Sequence, residues 1–195
     1  MSRINGVLDF WLDEVGPKNW YAVDADLDRR IRERFQCAWE KARRGGCAQW
    51  LTHPGGALAC IILLDQFSRN MFRTQAAAFA SDRTALAITK QAIYRRLDWS
   101  IEEPARQFFY LPLMHSESLC DQDRCVRLIK ERLPQSGTTS LLHARAHREV
   151  IRAFGRFPYR NPVLGRTSTQ AETAYLARGG YAFTLQRLQD TDNPR

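Results

Sequence analysis

Apolar positions recur along this chain at helical spacing, and no sustained two-residue alternation bounded by hairpin turns interrupts them. Leu27, Ile31, Phe35, Ala38, Trp39 and Ala42 draw one stripe along a helix that Asp24 or Asp26 can cap and Gly45-Gly46 can stop. From Gly56 to Asn70 the pattern changes, because the stretch is apolar on nearly all sides through Leu64. A helix without a polar face belongs in the middle of a protein. Further helices are predicted over 81–96, 121–133 and 140–154, the last closed by Gly155 in the left-handed conformation. Ser100-Ile-Glu-Glu103 with Pro104 reads as the start of another helix that Pro112 should bend or end. Thr169-Gln-Ala-Glu172 reads as a capping box opening a short helix that stops at Gly179-Gly180. The fold class is all-α, in antiparallel helix pairs joined by short turns, with about 8–10 helices. No internal repeat of 30–40 residues is evident.

Length changes the picture little. The 195 residues suit a single helical domain over 1–185, followed by a polar tail over 186–195. The longest apolar run, Ala57 to Leu64, is far short of the roughly 20 residues a membrane span needs, so no membrane partner is expected. The N-terminal stretch does not read as a signal peptide. The five cysteines are odd in number and without a CxxC pair, and several sit in apolar helical patterns as small hydrophobes, which suits a reducing cytoplasm.

Charge matters more. The formal net charge is +8, and 25 of the 29 basic residues are arginine. Such a balance suits an anionic partner, whether a small molecule or an acidic protein. Nucleic acid is less favoured, because no binding motif for it is present. Many arginines lie among Asp28, Glu33 and Glu40, the pattern of a solvated helix face.

Three blocks put polar groups where the pattern calls for apolar ones. In the first, Asp65 follows directly on the buried run and must be paired, with Arg69 one turn on. Gln66, Asn70 and Arg73 adjoin it. They form either an interhelical clamp or the lining of a polar cavity. In the second, His115, Ser116 and Glu117 follow Pro112. His115 and Glu117 would diverge by about 200° on a regular helix, so they serve one site only if the helix breaks there. The third block runs from Arg145 to Arg166, with six arginines and one acid. Arg156, Tyr159, Arg160, Asn161 and Arg166 lead to Ser168 and Thr169 at a helix start, a plausible anion site. His143 and His147 are four apart, but they lack the glutamate of a zinc-protease helix and sit among arginines, so no metal is expected.

LDQFSRNMFR (64–73), FFYLPLMHSES (108–118) and FGRFPYRNPVLGRTSTQAE (154–172) resemble the bacterial domain-of-unknown-function family 924, as do VLDFWL and GGYAF near the two ends. The resemblance covers roughly residues 5–183 and implies a tetratricopeptide-like all-α fold, with no established reaction and no cofactor. It also picks out His147, Gly155 and Gly165. Ser68 stands where the resemblance leads one to expect proline, and Tyr159 where it leads one to expect histidine.

Three functions fit these residues. The favoured one is a helical module that binds an anionic small molecule or acidic peptide through Gln66, Arg69, Asn70, Arg73, Arg156, Tyr159, Arg160, Asn161, Arg166, Ser168 and Thr169. The second is a hydrolase or transferase with His115 or His147 as general acid/base, oriented by Glu117 or Asp65, and arginines stabilising negative charge. The third treats the blocks as polar clamps in a structural or protein-interaction module.

Overall fold

The computed structural model describes residues 3–192, and side chains from residue 4 onward. Among the described residues there are helices and turns and no strand, so the chain is all-α. It folds as two compact units, Met1–Pro112 and Leu113–Arg195.

The N-terminal unit contains α1 (Arg3–Leu8), α2 (Ala25–Arg43), α3 (Pro54–Ile61), α4 (Ser68–Met71) and α5 (Asp82–Tyr94), with short 3-10 turns between some of them. A wide π-type turn, Ile62–Phe67, joins α3 to α4, so residues 54–71 form one helical stretch. The stripe predicted for α2 is real: Leu27, Ile31, Phe35, Trp39 and Ala42 are buried, and the Asp24 carboxylate accepts the N–H groups of Asp26 and Leu27. Every residue from Ala57 to Leu64 is fully buried, as an all-round apolar helix requires. Aromatic rings fill the space around it. Phe67 lies 4.8 Å from Phe35 and 5.3 Å from Trp11, and Phe10 lies 5.1 Å from Phe35. Each such ring adds about 2–3 kcal/mol of burial.

Two expectations fail here. No α-helix starts at Ser100. That residue ends a 3-10 turn (Leu97–Ser100), residues 101–104 bend through a cis Glu103–Pro104 bond, and a second 3-10 turn follows over Ala105–Phe109. Cys47 and Cys60 form a disulfide, a pairing that the odd cysteine count and the absence of a CxxC pair do not predict; Cys37, Cys120 and Cys125 are free thiols.

A four-residue helix, α6 (Leu111–Met114), leads into the C-terminal unit, which holds α7 (Leu119–Arg132), α8 (Thr138–Phe154), α9 (Gln170–Ala177) and α10 (Gly180–Asp192). Val150, Ile151, Phe157 and Tyr175 form its buried centre, with Phe154, Leu176 and Tyr181 packed against them. Gly155 closes α8 at φ +69°, its N–H bonded to the Ile151 carbonyl, as its position predicts. The Thr169/Glu172 capping box is present in full. Gly179 and Gly180 separate the short α9 from α10, which carries the helix on through residues 186–192 of the expected polar tail; 193–195 lie outside the described residues. No helix of the described residues is long and apolar enough to cross a membrane.

Candidate functional site

The first polar block lies in the N-terminal unit, and its partners come from neighbouring helices. Asp65 is fully buried on the π-type turn. It accepts the Gln66 amide at 2.5 Å and faces the Arg69 guanidinium at 3.2 Å. Arg69 also grips both oxygens of Asp82, at the start of α5, at 3.0 Å each. Asn70 donates to Asp28 of α2 at 2.8 Å, and Arg73 pairs with both oxygens of the same carboxylate. The wide turn leaves the Leu64 carbonyl to accept two hydroxyls, Ser68 at 2.9 Å and Ser81 at 2.5 Å. Ser68 therefore has a bonding role that proline could not supply. Asp28 and Asp82, the carboxylates that tie this block to α2 and α5, are 13 to 45 residues away from their arginines.

In the C-terminal unit the helix does break after Met114, the condition under which His115 and Glu117 can act together. Gln122 holds the break by donating to the carbonyls of Met114 (2.7 Å) and Ser116 (2.6 Å), while the Ser116 hydroxyl donates to Asp121 at 2.9 Å. Freed carbonyls are thereby satisfied. Glu117 accepts the Phe157 N–H at 2.8 Å and a two-point contact from Arg166 at 2.8 and 3.0 Å. Burial alone would push the Glu117 carboxyl up, but these donors and the nearby Arg160 outweigh it, and the net shift is downward.

The arginine-rich loop uses two of its arginines in the same way. Arg156 makes a two-point contact with Glu172 at 2.6 and 2.8 Å and reaches the Thr167 carbonyl at 2.9 Å. Arg156, helped by the Thr169 N–H, holds the Glu172 carboxyl down at about 2. Asn161 is buried and donates to the Ser168 hydroxyl at 3.1 Å, while its carbonyl accepts the Arg166 N–H. Thr169 and Glu172 take up each other's N–H at the start of α9. Of the residues predicted to hold an anion, Arg156, Arg166, Asn161, Ser168 and Thr169 thus also fasten the loop to itself and to Glu117.

Around His147 the geometry is different. Arg160 is buried with its guanidinium 4.4 Å above the Phe157 ring. Phe157, Tyr159, Tyr181 and His147 contact one another in a closed circuit, with centroid separations of 5.4, 6.3, 4.7 and 5.4 Å. His115 joins at 6.2 Å from His147. The His147 Nδ1 lies 2.9 Å from the His143 carbonyl one turn back. A carbonyl can only accept, so Nδ1 carries the proton and Nε2 presents a lone pair. Burial, then the neighbouring His115, push the His147 pKa down to about 3, so the ring is neutral at physiological pH. His143 and Tyr181 share a 2.6 Å hydrogen bond. Burial lowers the first and raises the second, so both stay uncharged. Tyr181 and Phe157 were not among the predicted site residues, although GGYAF and the arginine block contain them. In the sequence the His143/His147 spacing bears only on a metal, whereas His147 alone of the two is a general acid/base candidate.

Together these features define an all-helical protein whose C-terminal unit carries a histidine–tyrosine–arginine cluster. The chain belongs to the bacterial protein family of unknown function DUF924, whose model matches residues 7–180. A solved structure of a protein of unknown function from Agrobacterium tumefaciens is 38% identical, with a TM-score of 0.83 over 89% of this chain and 96% of that one. No curated protein matches the sequence.

Proposed function

We propose that this protein binds a small molecule carrying an anionic group at the cluster of His115, His147, Tyr159 and Arg160. The observation that carries the reading is the fixed state of His147. Its Nδ1–H is anchored to the His143 carbonyl and its ring is held neutral, so Nε2 is a permanent hydrogen-bond acceptor beside a second imidazole. The Arg160 cation stands close enough to act on both His147 and Glu117. A buried guanidinium stacked on a ring offers oriented donors to a carboxylate or phosphate at little entropic cost. The ligand this describes has one anionic group and one hydrogen-bond donor.

A thermal-shift screen of wild type, Arg160→Lys and Tyr159→Phe against sugar phosphates, nucleotides, small carboxylates and short acidic peptides tests it. A compound at 100 times its dissociation constant adds about 2.7 kcal/mol of stability. A hit weakened in Arg160→Lys supports the reading. A panel that leaves wild type unshifted, or a hit indifferent to both variants, overturns it. A peptide as the only hit would replace the small molecule by an acidic protein partner.

A second reading, a hydrolase or transferase acting on a phosphate or carboxylate ester, is favoured by the closeness of two imidazoles. A ring with a pKa near 3 is a poor base at neutral pH, so His115 would move the proton and Arg160 would stabilise the negative charge. Turnover of a binding hit, lost in His115→Gln with binding retained, would support it. The proposal also keeps the cytoplasmic setting and the tetratricopeptide-like arrangement implied by the family resemblance. The Cys47–Cys60 disulfide weighs against a reducing compartment, and thiol titration of protein taken directly from cells decides that point.

A further inference from the structure

Away from the histidine cluster, α8, α9 and α10 enclose a groove of about 490 Å³, a volume within the usual range for small-molecule sites. Phe154, Tyr175, Phe183 and Leu188 supply apolar wall, and Phe183 is exposed although large and aromatic. Arg178, just after α9, and Arg187, on α10, also line the groove. Several arginines elsewhere in this unit sit on carboxylates: Arg145 on Asp192, Arg148 on Asp123, Arg152 on Glu149, Arg156 on Glu172 and Arg166 on Glu117. Arg178 and Arg187 differ from these five, with no carboxylate partner among the described residues. Arg178 reaches only the Ala174 carbonyl, at 3.4 Å, and Arg187 lies 5.8 Å from the Phe183 ring. Glu149 is the acid on the groove wall, and Arg148 (3.4 Å) and Arg152 (3.0 Å) already neutralise it.

We propose that this groove binds an amphipathic carboxylate of medium chain length, its alkyl body against Phe154, Phe183 and Leu188 and its carboxylate between Arg178 and Arg187. The pairing of apolar wall with two cations lacking acids selects both halves of such a molecule. An alcohol of the same chain satisfies only the wall, and an alkylammonium is repelled. The Tyr175–Thr184 hydroxyl pair, 2.9 Å apart in the same wall, offers one further donor to the head group.

Calorimetric titration of the full chain with octanoate, decanoate, decanol and decyltrimethylammonium, below their micelle concentrations, tests it. Decanoate should bind about 15-fold more tightly than octanoate, because each buried methylene is worth about fourfold. Decanol should be at least tenfold weaker than decanoate, and the ammonium weaker still. Arg178→Gln/Arg187→Gln, both on exposed side chains, should remove the preference for decanoate over decanol with the helical circular dichroism unchanged. Phe183→Ser should weaken decanoate and decanol alike. Equal affinity for decanoate and decanol, or insensitivity to the double arginine variant, overturns the proposal. So does light scattering that shows a dimer abolished by Phe183→Ser, since the groove would then be covered by a second copy. Decanoate binding that survives His147→Phe separates this groove from the histidine cluster, so failure at either leaves the other standing.

Discussion

The two units use the same residue types to opposite ends. In the N-terminal unit Asp65, Arg69, Asp82, Asn70, Arg73 and Asp28 join the α4 region to α5 and α2, with Asp28 and Asp82 met by donors from another element and Asp65 by Arg69 one turn on. In the C-terminal unit Glu117 and Glu172 absorb Arg166 and Arg156, and the loop so fastened sets Tyr159 and the ring-stacked Arg160 beside the neutral His147 imidazole, with His115 6.2 Å from it. The contrast teaches that an arginine-rich motif is a poor guide to binding until its carboxylates are found. The first network reads as architecture. The second reads as architecture that holds other groups in place.

The strongest way to break this comparison is to remove Asp65. Its carboxylate is fully buried against Gln66 and Arg69, so Asp65→Ala removes the acceptor of the Gln66 amide and one of the two carboxylates that meet Arg69, and should cost about 3 kcal/mol in urea unfolding. A loss below about 1 kcal/mol would show the network to be dispensable and undo its structural reading. Glu117→Gln comes next. It weakens the two-point contact with Arg166 and should cost about 2 kcal/mol while loosening the loop that carries Arg160. Ligand affinity should fall with it, whereas Asp65→Asn should leave affinity per folded molecule unchanged.

A pH series sharpens the difference further. His147 has a folded pKa of about 3 against about 6.5 unfolded, so between those values the unfolded chain binds more protons. Its contribution is complete above about pH 6.5 and is lost as pH falls towards 3, at a slope of at most about 1.4 kcal/mol per pH unit. The urea midpoint should drop between pH 7 and pH 5, and His147→Phe should flatten that drop. A wild-type midpoint unchanged over this range would mean that His147 is not held neutral. Glu172 acts lower, its stabilisation present above about pH 4.5 and lost towards pH 2. The smallest effect belongs to Gly155→Ala. Its φ of +69° is unfavourable for alanine while a Cβ there meets nothing within 4 Å, so about 1 kcal/mol should be lost by backbone strain alone.

Local rules were readable from the chain because they depend on residues close in sequence. The α2 stripe, the Asp24 cap, Gly155 and the Thr169/Glu172 box all span only a few turns, and each stands as read. The Ser100 pattern failed because four residues do not encode whether a helix continues beyond them; the chain there runs through 3-10 turns over Leu97–Ser100 and Ala105–Phe109. Partners far along the chain were not readable. Nothing near Arg69 or Arg73 points to Asp82 or Asp28, and nothing near Cys47 points to Cys60. The histidine cluster was half legible. His115, His147, Tyr159 and Arg160 were named, but Tyr181 and Phe157, which complete the ring circuit, carry no polar anomaly that would flag them.

The fully buried stretch Ala57–Leu64 has a consequence for the birth of the protein. Its neighbour α5 is synthesised afterwards and ends about 30 residues later, at Tyr94. At roughly 5–20 residues per second, this greasy octet spends about 2–6 seconds outside the ribosome before that cover exists. For that interval it is a natural handle for a nascent-chain chaperone, and yield in the cell depends on how quickly α5 arrives as much as on the stability of the finished fold.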